Sequence, residues 1–391
     1  MIMDRDYYCN YKFRFLKVDL EAFTTLNCHA SQTHGVDVVW LKNNPGQLFN
    51  TDINVQERHM MLANQRCPSC EQNCWPAEDR GQTSPRLLQG GPARTHTEPV
   101  TNAEIFDITV GSDCNLSCSY CCKEYSSSWR RDIANNGSYN LPHSDQRYQL
   151  NSRDKLLLKT SQQERQQTER YQLMLNEIRW AAEHLKTIIV TGGEPFLNNS
   201  LIQILSESNI NPDCEVKIYT GMGVDHKRFE RMLHKLKHIP NLTIIVSAEN
   251  IGADLEFNRY GVSWPEFDRK IKLLESLNIV HEFQSTITNL TVHGFANFVK
   301  YYTGKKIVLT FAYQPSLMAV HVMDDRSKQS VLSTLSNIDS EFLDSIQQNL
   351  MAVPDERDVE NLRAFLPEFV KRRNNLTVDI FPESFRNWVG V

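Results

Sequence analysis

The chain has 391 residues, more than a single ordinary core of ~100–200 residues accounts for, so a main domain with appendages is expected. Its net charge of −5 gives no global attraction to nucleic acid or anionic membrane, and no apolar run approaches the ~18–20 residues that span a bilayer. Residues 1–10 are polar and lack the apolar stretch of a signal peptide, which makes a reducing cytoplasm the expected location and disulfides an unlikely use of the cysteines.

In chain order, residues 1–100 read as largely irregular, with strand-like alternation over 13–23, a short strand candidate at 36–40 and a linker at Gly90-Gly91-Pro92. From residue 104 the pattern changes. Ile105, Phe106, Ile108 and Val110 predict an apolar strand. Tyr171, Leu175, Ile178, Ala182 and Leu185 share one helix face. Strands at 188–190, 216–219, 242–246, 281–287 and 307–311 then alternate with helices at 201–205, 229–236, 267–277 and 295–302. The fold class is therefore α/β, an open, partial (β/α)6 TIM-like barrel over 101–320, whose strands are apolar on both faces as a helix-covered sheet requires.

Residues 123–170 interrupt this order as an insertion rich in Ser, Asn, Gln and Arg, with nine Lys/Arg against six Asp/Glu. Arg130 and Arg131 read as solvated loop charges. Residues 321–391 form a helical extension. Ile338, Phe342, Ile346 and Leu350 share one helix face; Val359, Leu362 and Leu366 share another, which Pro367 is expected to break.

Eight of the ten cysteines fall at 9, 28, 67, 70, 74, 114, 118 and 121. Cys114, Cys118 and Cys121 follow the first barrel strand at spacings that let one loop wrap an iron–sulfur cube. Three ligands leave one iron open, which separates a reactive metal site from a closed structural one. Cys67, Cys70 and Cys74, with Cys9 and Cys28 upstream, form a second group of five thiols, one more than one cluster needs. A tetrahedral zinc site and simple buried thiols are the alternatives there. Cys122 and Cys214 read as small core hydrophobes.

Two motifs together, CxxxCxxC at 114–121 and Thr191-Gly192-Gly193-Glu194-Pro195 after a strand, resemble the radical S-adenosylmethionine (SAM) superfamily. The resemblance implies a [4Fe-4S] cluster on Cys114, Cys118 and Cys121, SAM on its open iron, and reductive cleavage of SAM to a 5′-deoxyadenosyl radical that abstracts hydrogen from substrate. It further implies SAM contacts at Tyr120, Gly192, Gly193, Glu194, Pro195, Thr220, Ser247, Glu249 and Arg259, an oxygen-sensitive centre, and a reductant such as flavodoxin or ferredoxin. Glu194 reads as a loop-holding group without a proton-transfer role.

The group at 9–74 resembles the SPASM and twitch auxiliary domains, which hold extra iron–sulfur clusters, although those usually follow the barrel. The stretch from Cys74-Trp75 through Glu78, Gly81, Ser84 and Arg86 resembles phage and bacterial twitch-type proteins of unassigned substrate. This division gives an auxiliary domain at 1–100, with Cys9, Cys28, Cys70 and Cys74 as favoured ligands and Cys67 as competitor. A peptide or protein side chain is the first substrate class implied. The alternatives are a small molecule, nucleotide or nucleic acid, with Trp129, Tyr139 and Tyr148 lining the entry, or a non-catalytic metal-binding interaction protein.

Overall fold

The computed structural model describes residues 6–90 and 94–391, so Gly91 and Pro92 of the expected linker lie outside the described residues. Two compact units emerge. The first comprises the described residues of 1–111, 162–218 and 234–242, and the second residues 112–161, 219–233 and 243–391.

In the first unit, strands Ile105–Thr109, Thr187–Thr191 and Glu215–Thr220 run parallel in the expected order. The alternation noted over 13–23 forms the strand Phe15–Asp19, which joins Ile105–Thr109 in parallel register. Thr24–Leu26 and His34–Gly35 extend the sheet antiparallel. The N-terminal segment thus contributes directly to the sheet that carries the first barrel strand. It is also less irregular than its composition suggests, since Asp52–Leu62 is helical. The strand expected at 36–40 is instead the start of the helix Val38–Asn43. Asp37 caps it, its carboxylate accepting from the Val39 and Trp40 N–H groups, and this local bond outweighs the β preference of the two valines.

In the second unit, strands Leu242–Ser247, Val280–Ile287 and Ile307–Phe311 are parallel neighbours. Ile307–Phe311 lies at the edge and stays half-exposed, so it is not apolar on two covered faces. The helices Trp264–Ser276 and Phe295–Tyr301 fall where the pattern places them. The architecture is α/β with parallel strands alternating with helices, and open; among the described residues no strand pair closes it into a full barrel. Among these residues no helix is long and apolar enough to cross a membrane.

The insertion is a packed element with helices of its own, Ser127–Asn136 and Ser152–Lys159 among them. Trp129, Tyr139 and Tyr148 are buried, their rings clustered against Phe365 of the helix Glu356–Lys371. They are core residues and do not line an entry. Pro367 sits inside that helix without breaking it. Proline deletes one ladder bond, and the buried Phe365, Leu366 and Phe369 around it supply more burial energy than the bond is worth. Arg130, read as a solvated charge, is buried and donates to the Lys123 carbonyl at 2.7 Å and to Ser112 Oγ at 2.8 Å; Arg131 remains exposed.

Candidate iron–sulfur and SAM site

The cysteine loop is held from several sides. Ser126 caps the helix Ser127–Asn136 and donates to the Leu116 carbonyl at 2.7 Å. Ser127 Oγ both accepts from the Cys114 N–H and donates to its carbonyl. Trp129 Nε1 donates to the Cys118 carbonyl at 3.0 Å. The run Ser126-Ser127-Ser128-Trp129 therefore fixes the loop. Sequence reasoning passed over it, and its signal was the serine cap ahead of an aromatic residue.

Ser117–Cys118 pairs antiparallel with Arg259–Tyr260, placing Arg259 opposite Cys118. Gly261, at φ +106, and Gly223 let their segments close on the loop. A Cβ on Gly261 would lie 3.0 Å from the Asn115 carbonyl oxygen, and one on Gly223 2.5 Å from Asn115 Oδ1.

Three of the expected SAM contacts form one buried network. Arg259 donates through Nε to Glu249 Oε2 at 3.0 Å and through Nη2 to Oε1 at 2.6 Å. Tyr120 donates to the same Oε1 at 2.8 Å, and so does the Thr286 N–H at 3.1 Å. Nη1 of Arg259 lies 3.9 Å from Cys118 Sγ. Burial pushes the Cys118 thiol up, and the guanidinium opposes this. Burial, with the charge of the Cys118, Cys122 and Cys114 sulfurs, raises the Cys121 thiol. Thr220 is buried and accepts from the Met222 N–H at 2.8 Å; Ser247 ends its strand.

The donor set fits a cube. Among the described residues no three His, Cys, Asp or Glu side chains are arranged to hold a single metal ion. A cube's thiolates, however, bind separate irons and need not converge on one point. The Leu116 N–H, 3.4 Å from Cys114 Sγ, and the Arg259 guanidinium supply the hydrogen bonds that anionic cluster sulfurs accept.

Gly192, Gly193, Glu194 and Pro195 lie in the first unit. Gly192 adopts φ +118, and a Cβ there would stand 2.7 Å from the Gly111 carbonyl oxygen, to which Gly193 donates at 2.8 Å. Buried Glu194 accepts from the Phe196 N–H and caps the 3-10 turn Pro195–Leu197.

Cys9, Cys28, Cys67, Cys70 and Cys74 are also in the first unit, all buried and none in a disulfide. Cys67 and Cys70 flank the 3-10 turn Pro68–Cys70, and Cys74 opens the helix Cys74–Asp79. Cys9, Cys67, Cys70 and Cys74 share one buried cluster with Phe13, Met61 and Trp75, and Cys28 lies within electrostatic reach of Cys9 and Cys74. Cys122 and Cys214 are buried elsewhere. Within the second unit, a cavity of about 770 Å³ adjoins the cysteine loop, lined by Cys122, Tyr125, Asp145, Arg147, Gln314 and Asp358 among others.

Residues 108–298 match the family model of the radical SAM superfamily. No curated protein matches the chain. Among solved structures it is similar to native anSMEcpe with bound AdoMet, at 17% identity and TM-score 0.37, covering 62% of each chain. It is similar also to Streptococcus suis SuiB bound to precursor peptide SuiA, at 11% identity and TM-score 0.35, covering 88% of this chain and 71% of that one. The chain thus spans less than two thirds of the length of the first of these.

Proposed function

We propose that this chain is a radical SAM enzyme acting on a peptide or protein side chain, with a [4Fe-4S] cluster on Cys114, Cys118 and Cys121. The observation that carries the reading is the three cysteines on one short loop, with Cys118 paired opposite Arg259 and backed by the Arg259–Glu249–Tyr120 network, inside the segment that matches the superfamily. Cys114, Cys118 and Cys121 would hold the cluster, and cluster and SAM together would supply one-electron reductive cleavage of SAM and, from it, hydrogen abstraction from the substrate.

The protein's own residues hold, orient and exclude water. Arg259 fixes the Cys118 hairpin and spends Nε and Nη2 on Glu249, so its free direction is toward the sulfur. Tyr120 ties the same loop to the end of the Leu242–Ser247 strand through Glu249. Thr220 and Ser247 are assigned to the adenosine, and the backbone of residues 192–195 to the SAM amino group. The cavity beside Cys122 and Tyr125 is assigned to the substrate, and its polar lining suits peptide groups better than an apolar ligand.

Four of Cys9, Cys28, Cys67, Cys70 and Cys74 are assigned to a second iron–sulfur centre, supported by their common burial and mutual contacts. The working division is an auxiliary segment at 1–100 that lends a strand to the barrel sheet, the barrel at 101–320, and a helical extension at 321–391. A reducing cytoplasm and a flavodoxin or ferredoxin donor complete the reading.

The test is anaerobic reconstitution with iron and sulfide. About eight irons per chain are expected, four per cube, and SAM should alter the electron paramagnetic resonance (EPR) signal of the reduced protein. A signal indifferent to SAM overturns the assignment of Cys114, Cys118 and Cys121.

A further inference from the structure

Beside the cysteines of the first unit lies a charge that a merely space-filling core would not contain. Lys12 is fully buried, and its ammonium has three partners for its three N–H bonds. Glu57 Oε2 and Ser69 Oγ are each at 2.5 Å, and Cys67 Sγ is at 3.5 Å. Cys67 is fixed independently: Ser69 Oγ lies 3.2 Å from its sulfur and Trp75 Nε1 donates to its carbonyl at 2.8 Å. Glu57 is held in turn by Asn27 Nδ2 at 2.6 Å.

Desolvating an ammonium costs several kcal/mol, and an apolar pair of similar volume would often be as stable as this ion pair. The charge has a use if a sulfur beside it carries negative charge. Cys9, Cys28, Cys67 and Cys70 all lie within its electrostatic reach. A second cation, Arg86, reaches Cys9 and Cys74, but its guanidinium is bound through Nε and Nη2 to Glu78 and through Nη1 to the Tyr8 carbonyl. Lys12 donates directly to a cysteine sulfur.

We propose that Lys12 positions Cys67 as a ligand of the second iron–sulfur centre and, by donating to its sulfur, raises that centre's reduction potential. The inference rests on the reading of that centre given above. Hydrogen bonds and positive charge at cluster sulfurs stabilise the more negative, reduced state, and protein hydrogen bonding is one of the levers that spread iron–sulfur potentials.

The test uses the full-length chain with Cys114, Cys118 and Cys121 all changed to Ala, which leaves the second centre alone. About four irons per chain are expected. Adding Lys12→Met with Glu57→Gln removes both buried charges together. The iron should stay, and the reduced-to-oxidised ratio at a fixed potential should fall about tenfold, which is ~59 mV for one electron. Lys12→Arg, which keeps the charge, should stay within about twofold of the parent by the same relation. A second readout needs no change at Lys12: pulsed EPR on the parent labelled with 15N at the lysine side chains should detect a nitrogen weakly coupled to the reduced centre. An unmoved potential at full iron content, or no lysine nitrogen coupling, overturns the role of Lys12. No iron in the parent, or zinc in its place, overturns the second centre itself.

Discussion

Glu249 and Arg259 are 0% and 5% exposed and bonded through two parallel N–H···O contacts, so each is the other's charge partner in a dry site. Glu249→Leu strands the guanidinium and also removes the acceptor for the Tyr120 hydroxyl and the Thr286 N–H. Breaking a buried pair from one side costs about 3–5 kcal/mol, and the two additional orphaned donors place this variant near the top of that range. Arg259→Met leaves Glu249 with those two donors, so it belongs near ~3 kcal/mol. The double variant leaves no uncompensated charge, and its cost should be less than the sum by about 2 kcal/mol. Denaturant unfolding of the metal-free chain, followed by tryptophan fluorescence, measures all three. Single costs below ~1 kcal/mol, or additivity within ~0.5 kcal/mol, would refute the network as the support of the cysteine loop.

Gly192→Ala sets a Cβ 2.7 Å from the Gly111 carbonyl oxygen at φ +118. It should cost about 1–3 kcal/mol of stability and weaken SAM binding about tenfold by calorimetry. Trp129→Ala removes a fully buried ring between the insertion and the C-terminal helix, and should lower unfolding stability by about 3–5 kcal/mol. His293 packs against Phe381 and Phe385, and burial pushes it down to about 4 from 6.5. The unfolded chain therefore binds the proton more readily, so stability should fall as pH drops from 6.5 through 4, by on the order of 3 kcal/mol. His293→Phe should flatten that limb of the stability–pH profile; an unchanged slope would exclude His293 as its source.

The parallel strands were legible because a helix-covered strand is an uninterrupted apolar run, and 188–190 and 244–246 are such runs. The cysteine loop was legible because its ligand atoms come from one short segment. What stayed hidden depends on long-range partners. Trp129, Tyr139 and Tyr148 are diluted in polar sequence, and their burial requires a helix beginning more than two hundred residues later. Arg130 reads as a charge beside Arg131 until its partners, Lys123 and Ser112, are seen. Tyr120, Glu249 and Arg259 were each legible as site residues, but nothing in their spacing says that they bind one another. At 36–40 the cap at Asp37 was a local signal outweighed by two valines.

The central claim is tested most directly by incubating the reconstituted full-length chain with SAM and a strong reductant under anaerobic conditions and quantifying 5′-deoxyadenosine. The account predicts release that depends on reductant and is lost in Cys118→Ala. No release from the reconstituted chain, or equal release from Cys118→Ala, would contradict it.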